Sequence, residues 1–350
     1  DDVQRIQVEA TTALFAACEQ AGVRRLVHIS AIGASRLAPT TFARSKAAAE
    51  DDLTGRRLEW AILRPGLVLA PVVYGGTAML RGLAGLPLVT PLIEPDARVQ
   101  VVSVDDVAET VARCVAPDAK TDVKWDVAHP QVLTLASIVG GLRGWLGFWP
   151  RRTWRVPRAL GSAVAAFADM LGRLGWRSAA RSTALRQLAA GVVGEPSPWI
   201  AATGIQPKSF EDILAQQPSG VADRWFARLF WLKPLSIAGL ALFWFASGVV
   251  ALGPGREAAL AQLTAAGFPS AWLNPLLIGG ALFDCILGLL LLVRVAARPV
   301  LQIMLAATVV YLAVGTSLVP QLWADPLGPF LKVIPLLIAM LFTLAIMDER

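Results

Sequence analysis

A chain of 350 residues is long enough for two domains, and its composition, 55% hydrophobic and 17% charged with a formal net charge of +6, divides unevenly along its length. Two histidines and three cysteines at unrelated spacings (Cys18, Cys114 and Cys285) give neither a metal-ligand set nor a disulfide framework. The positive excess is not read as nucleic-acid binding. Its arginines gather at Arg151, Arg152, Arg155 and Arg158 and again at Arg173, Arg177, Arg181 and Arg186, interleaved with Trp145, Trp149, Trp154 and Trp176. That pattern suits an anionic lipid leaflet, or a small lobe with tryptophan in its core.

In chain order, residues 1–21 carry Val8, Leu14, Phe15 and Cys18 near one helical face, and Gly22 stops the helix. Residues 23–30 predict a buried strand, 41–53 a helix and 58–69 a second apolar strand. Strands alternating with helices imply a parallel sheet with right-handed crossovers. A short strand is expected over 99–103, with Asp105 or Asp106 capping a helix through Val115, a use that accounts for those carboxylates without acid–base chemistry. Helices follow over 134–146 and 160–174. Gly141, Gly144 and Gly147 repeat at the spacing of a phosphate loop, but no strand leads into them, so they are set aside. A looser stretch, 191–217, holds a short helix at 210–214, and 218–233 reads as a linker.

Four runs, 234–252, 275–293, 299–319 and 329–347, are apolar over the roughly 20 residues a helix needs to cross a bilayer. Arg224, Arg228 and Lys233 before the first, and Arg294 and Arg298 between the second and third, predict cytoplasmic faces. The loop 320–328, with Asp325 and no basic residue, is then outside and both termini inside, as in a multi-pass protein of the cell (inner) membrane. Asp284 is a membrane-embedded acid that must face the bundle, protonate or pair, with Lys332 as one partner. Such an acid lines a quinone or proton site, or bonds a neighbouring helix. Gly279, Gly280 and Gly288 permit close helix approach.

The segments Arg25-Leu26-Val27-His28-Ile29-Ser30-Ala31-Ile32-Gly33-Ala34, Phe42-Ala43-Arg44-Ser45-Lys46 and Ile62-Leu63-Arg64-Pro65-Gly66-Leu67-Val68 together resemble the extended short-chain dehydrogenase/reductase family, NAD-dependent epimerases and dehydratases included. The resemblance implies a Rossmann-like domain binding NAD or NADP, with Lys46 on the ribose, Ser30 at a strand end, and Pro65 and Val68 in a turn bordering the nicotinamide. Phe42 stands where the family keeps its proton-carrying tyrosine, and Ala31 and Ile32 where it keeps a catalytic hydroxyl, so no residue besides Lys46 is a catalytic candidate. The chain begins Asp1-Asp2-Val3 without the family's glycine-rich phosphate loop, which the resemblance places upstream in a longer protein.

Among relatives the pattern is similar to the nucleotide-binding accessory subunit of respiratory complex I. In the second half, Leu240-Ala241-Leu242-Phe243-Trp244-Phe245-Ala246-Ser247-Gly248, Gly279-Gly280-Ala281-Leu282-Phe283-Asp284 and the segment Trp323-Ala324-Asp325-Pro326-Leu327-Gly328-Pro329-Phe330-Leu331-Lys332 resemble the DoxX-like family of four-helix membrane proteins. The expected architecture is a partial α/β Rossmann-like domain with a substrate-side lobe over 1–217, a linker over 218–233 and an all-α four-helix membrane bundle over 234–350. Three functions fit: a membrane-anchored, redox-linked NAD(P)-binding protein lacking the catalytic tyrosine; an active oxidoreductase or epimerase on a lipid-like substrate; or a non-enzymatic assembly subunit of a quinone-linked complex. The implied partners are the bilayer and a quinone or respiratory-chain protein.

Overall fold

The alternation of apolar strands and amphipathic helices produces the expected parallel sheet. The computed structural model describes residues 4–150, 152–176 and 181–347, so Arg151 and Arg177 of the basic clusters, and positions 1–3 of the first helix, lie outside the described residues. The chain divides into two compact units, one of residues 1–169 with 178–228, the other of 170–177 with 229–350.

In the first unit a π-helical segment, Arg5–Ala10, runs into α1 (Thr11–Gln20), followed by β1 (Arg25–Ile29), α2 (Thr41–Thr54), β2 (Glu59–Pro65) and β3 (Leu67–Leu69). Next come α3 (Gly76–Ala84), β4 (Val89–Leu92), β5 (Arg98–Val99), β6 (Val101–Ser103), α4 (Val104–Val115) and β7 (Val123–Val127). The rest of the unit is β8 (Leu133–Thr134), α5 (Leu135–Trp145), β9 (Arg152–Arg155), α6 (Arg158–Arg173, its last turn from Met170 belonging to the second unit), α7 (Ser182–Ala190), α8 (Ser197–Thr203) and α9 (Phe210–Gln216).

The central sheet has the order β1-β2-β7, all parallel, with His28 opposite Ile62 and Arg64 opposite Asp126. Strand β2 is covered on both faces: Ala61, Ile62 and Leu63 are all but inaccessible to solvent. A strand buried on both faces reads as a continuous apolar run, and this run made it legible. One face packs Ile62 with Phe15, Leu53 and Leu58; the other packs Leu63 with Val102, Val127 and Trp199.

Local sequence sets the helix starts. Thr40 caps α2 by accepting from Ala43 N at 3.2 Å, and Thr134 with Ser137 forms a reciprocal capping box at α5. Gly141 and Gly144 lie inside α5, consistent with their exclusion as a phosphate loop. The cap of α4 differs from expectation: it is Ser103, whose Oγ accepts from Asp105 N at 3.0 Å. Asp105 and Asp106 sit in the first turn and anchor a distant segment, Asp105 through Lys208 Nζ and the buried Asp106 through Lys208 N, each at 3.0 Å.

The apolar run 58–69 is two strands rather than one. Gly66 breaks it, and β3 leaves the central sheet to pair with β6. A Cβ on Gly66 would stand 2.5 Å from Gln100 O, so the main chains pass at a distance only glycine allows.

The second unit contains most of α10 (Val221–Leu252), then α11 (Arg256–Ala265), α12 (Ser270–Leu291), α13 (Arg294–Leu318), a 3₁₀ turn (Pro320–Trp323) and α14 (Val333–Ala345). Helices α10, α12 and α13 are long and apolar enough to cross a membrane. Two boundaries differ from expectation. The linker expected over 218–233 is largely helix, because α10 starts at Val221 and continues through Pro234. The fourth run forms a helix of 13 residues, since Gly328 takes φ +57 and the chain turns until Lys332. Gly288 packs as expected, a Cβ there standing 2.7 Å from Ala241 O and Phe245 N, whereas Gly279 and Gly280 have open space around them.

Replacing Gly66 by alanine is expected to destabilise the first unit by about 2 kcal/mol through that steric conflict, read as a lowered thermal midpoint, while Gly279→Ala leaves the midpoint unchanged.

Candidate functional site

In an open parallel sheet, ligands are received at the carboxyl ends of the strands. Here those ends are Ser30 after β1, Pro65 closing β2 and Val127 closing β7. The backbone pairing continues past them, with Ser30 N on Leu63 O (2.7 Å), Ile32 N on Pro65 O (3.2 Å) and Gly66 N on Val127 O (3.1 Å), which holds the three ends level.

Lys46 projects from α2 to this edge. Its Nζ donates to Ile29 O at 3.0 Å, and burial lowers its pKa from the ordinary lysine value while the nearby Glu50 carboxylate opposes the shift. An ammonium has three donors, so two remain for other acceptors. Phe42 precedes Lys46 by one helical turn, which puts both on one side of α2, and its carbonyl accepts from Ser45 Oγ.

Ser30 reaches the same region but donates its proton to Glu50 Oε1 at 2.5 Å. Pro65 is buried at the end of β2; Val68 belongs to β3, opposite Val102, and packs against an apolar cluster that includes Leu63 and Trp199. Lys46, Ser30 and Pro65 are thus brought to one sheet edge, with Val68 turned into the adjoining core.

The organising residue is one the sequence reading did not single out. Glu50, one turn beyond Lys46 and 1% exposed, accepts from Ser30 Oγ, from Arg64 Nε (2.8 Å) and Nη2 (2.5 Å), and from Lys124 Nζ (3.0 Å). Burial works against the carboxylate, but the bonds from Arg64, Ser30 and Lys124 outweigh it and hold its pKa below the usual value. Arg64 also donates to Ala34 O at 3.2 Å, which ties down the loop that follows β1. The i, i+4 spacing of Lys46 and Glu50 was visible in the sequence; Lys124 lies on β7, a strand whose pairing only the fold reveals.

His28 completes the group. It is buried on β1 with its ring edge-on to Phe15 at 5.3 Å, and its Nε2 has no hydrogen-bond partner. Burial and then the charge of Lys46 push its pKa down to about 4, against a smaller opposing effect of Glu50.

In the second unit Asp284 on α12 accepts from Tyr311 Oη on α13 at 3.3 Å, and Ser247 on α10 bonds the same carboxyl. Three membrane-length helices therefore converge on one acid. The expected partner Lys332 is not among its contacts, and the acid bonds hydroxyls on neighbouring helices instead. Trp244 stacks on Tyr311, centroids 6.5 Å apart, and its buried Nε1 has no hydrogen-bond partner. Among the described residues no cluster of histidine, cysteine or carboxylate side chains could hold a metal ion.

Comparison with known proteins agrees with this division. Residues 2–118 match the NAD(P)H-binding family model, and residues 241–341 match that of the DoxX-like family. A curated relative, the mitochondrial NADH dehydrogenase [ubiquinone] 1 alpha subcomplex subunit 9 of Arabidopsis thaliana, is 26% identical over 157 residues, 44% of this chain. The match spans 38% of that subunit's length. Solved structures with a similar arrangement include MoeE5 in complex with UDP-glucuronic acid and NAD (TM-score 0.45, 17% identity, 60% of this chain and 69% of that one). Another is an NADPH-dependent quinone oxidoreductase from Escherichia coli complexed with NADPH (TM-score 0.46, 16% identity, 59% and 70%).

Two outcomes test the electrostatics of the strand-end cluster. Glu50→Gln leaves Arg64 and Lys124 without their counter-charge and is expected to cost about 3 kcal/mol, measured by thermal or denaturant unfolding. His28 titrates near 6.5 in the unfolded chain and at about 4 in the folded one, so the unfolded state takes up the proton first. Its contribution leaves stability unchanged above pH 6.5 and lowers it as pH falls from 6.5 to 4, by on the order of 3 kcal/mol in total. The drop in thermal midpoint between pH 7 and 5 should shrink in His28→Leu.

Proposed function

We propose that the chain, which joins an NAD(P)H-binding segment to a DoxX-like one, is a membrane-anchored, redox-linked NAD(P)-binding protein that holds its dinucleotide without the phenol short-chain enzymes use to move a proton. The observation that carries this reading is Lys46, fixed at the carboxyl edge of the sheet with donors to spare, one helical turn from a phenyl ring.

In this reading Lys46 bonds the ribose hydroxyls and the backbone of the Pro65-Gly66 turn borders the nicotinamide. A bound nicotinamide cofactor would give up a hydride in its reduced form, NADH or NADPH, or accept one when oxidised; the chain's own residues position the cofactor and exclude water. Phe42 offers a flat apolar face and no proton. Ser30 gives its proton to Glu50, so it meets a ligand only as an acceptor. These features support a binding or sensing role over unaided turnover.

The redox link runs through the membrane unit. Asp284, Tyr311 and Ser247, beside the unpartnered Trp244 indole N–H, give hydrogen-bonding groups at membrane depth to a lipid-soluble carbonyl compound such as a quinone. Similarity to a respiratory NADH dehydrogenase subunit supports a respiratory-chain partner for the first unit. Arg224, Arg228, Lys233, Arg294 and Arg298 support a cytoplasmic placement of the nucleotide-type unit.

Titration of NADH or NADPH fluorescence with the natural full-length protein in micelles tests the reading. Saturable binding is expected, about tenfold weaker in Lys46→Ala and recovered in Lys46→Arg, the loss corresponding to roughly one charge-assisted hydrogen bond. Absence of binding, or binding indifferent to Lys46, refutes it.

A further inference from the structure

Helix α6 is built inside out. Its small residues Gly161, Ala165 and Ala168 form the buried stripe, Gly161 so close to Ile93 that a Cβ would stand 2.7 Å from its side chain. Its large apolar residues point away from the protein: Leu160 is 53% exposed, Val164 52%, Phe167 57% and Met170 49%, with Leu174 just beyond the helix at 36%. The intervals of four, three, three and four residues keep all five on one face. Arg158, Ser162, Asp169 and Arg173 occupy a separate edge of the same helix. A helix packed against water alone would place its large apolar residues in the core, and a continuous outward stripe marks a surface that something else covers.

The chain just past this helix points to what covers it. Leu174 O accepts from Arg294 N at 3.1 Å, and Trp176 Nε1 donates to Leu292 O at 2.7 Å. Leu292 and Arg294 join the membrane-length helices α12 and α13, so the segment that directly continues α6 is fastened, within the second unit, to the point where one of these helices ends and the next begins. Trp149 and Trp154, ahead of the helix, are 70% and 53% exposed, and tryptophan concentrates at the boundary between acyl chains and headgroups.

We infer that α6 is an interfacial helix, lying in the plane of the membrane with Leu160, Val164, Phe167 and Met170 sunk into the acyl boundary and its Arg158–Arg173 edge among the headgroups. Apolar burial supplies the attraction. Arg155 and Arg158 pair with Asp96 and Glu94, and Arg181 with Asp169, so these arginines are largely neutralised within the protein and the helix does not depend on anionic lipid.

The test places single cysteines by Val164→Cys, Phe167→Cys and, on the polar edge, Ser162→Cys in the full chain with Cys18, Cys114 and Cys285 replaced by alanine. Each is labelled with bimane and reconstituted in phosphatidylcholine vesicles, with or without phosphatidylglycerol, and in each case with or without acyl-chain-brominated lipid. Quenching at 164 and 167 several-fold greater than at 162, and undiminished when phosphatidylglycerol is left out, is the expected result. Equal quenching at all three positions, or none at 167, overturns the inference. Should the cysteine-free chain not fold, a benzophenone amino acid in place of Phe167 in the otherwise native chain decides in the same way: adducts to lipid support it, and adducts to a second copy or to another protein overturn it.

Discussion

The first unit depends on the ionised carboxyl group of Glu50, buried among Arg64, Lys124 and Ser30. Removed from water, a carboxylate is costly unless its oxygens are filled, and here four donors from β1's end, β2 and β7 fill them. Because those donors come from the residue that follows β1 and from β2 and β7 while Glu50 sits on α2, the interaction sets the height of the helix against the sheet. Lys46, one turn earlier on α2, is thereby held at the strand ends, where its ammonium meets Ile29 O. Arg64 extends the same constraint to the loop after β1 through Ala34 O.

The network also divides the roles of polar groups that look interchangeable in sequence. Ser30, Lys46 and Arg64 all lie near the carboxyl edge, yet Ser30 and Arg64 are committed to Glu50, and Lys46 keeps donors in reserve. His28 stays neutral in its apolar pocket beside Phe15, kept so by burial and by the neighbouring ammonium.

Much of the architecture was legible because it rests on patterns a single chain displays. The apolar runs at 23–30 and 58–69 and the helical periods at 41–53 and 134–146 are local signals, although Gly66 divides the second run, and the membrane-length helices announce themselves by composition. What stayed hidden depends on distant pairing. Strand β7 is Val-Lys-Trp-Asp-Val, mixed enough in polarity to pass as a loop until β2 lies beside it. The carboxylates of Asp105 and Asp106 have the local pattern of caps, while their partner, Lys208, lies about a hundred residues downstream. Of the site, Lys46 was visible through its spacing from Phe42, whereas the engagement of Ser30 by Glu50 needed the fold. Tyr311 and Ser247 as partners of Asp284 come from helices whose rotation no hydropathy pattern specifies.

The short last helix has a consequence for the lipid around it. At 13 residues α14 reaches about 20 Å, some 10 Å less than the hydrocarbon slab of an average bilayer. The turns ahead of it satisfy several of their own polar groups, since Trp323 Nε1 bonds Thr316 Oγ1, Leu327 N bonds Asp325 Oδ1, and Gly328 N and Lys332 N find carbonyls within the segment. A helix of that length matches an average slab only where the bilayer thins locally or where the turns ahead of it supply the missing depth.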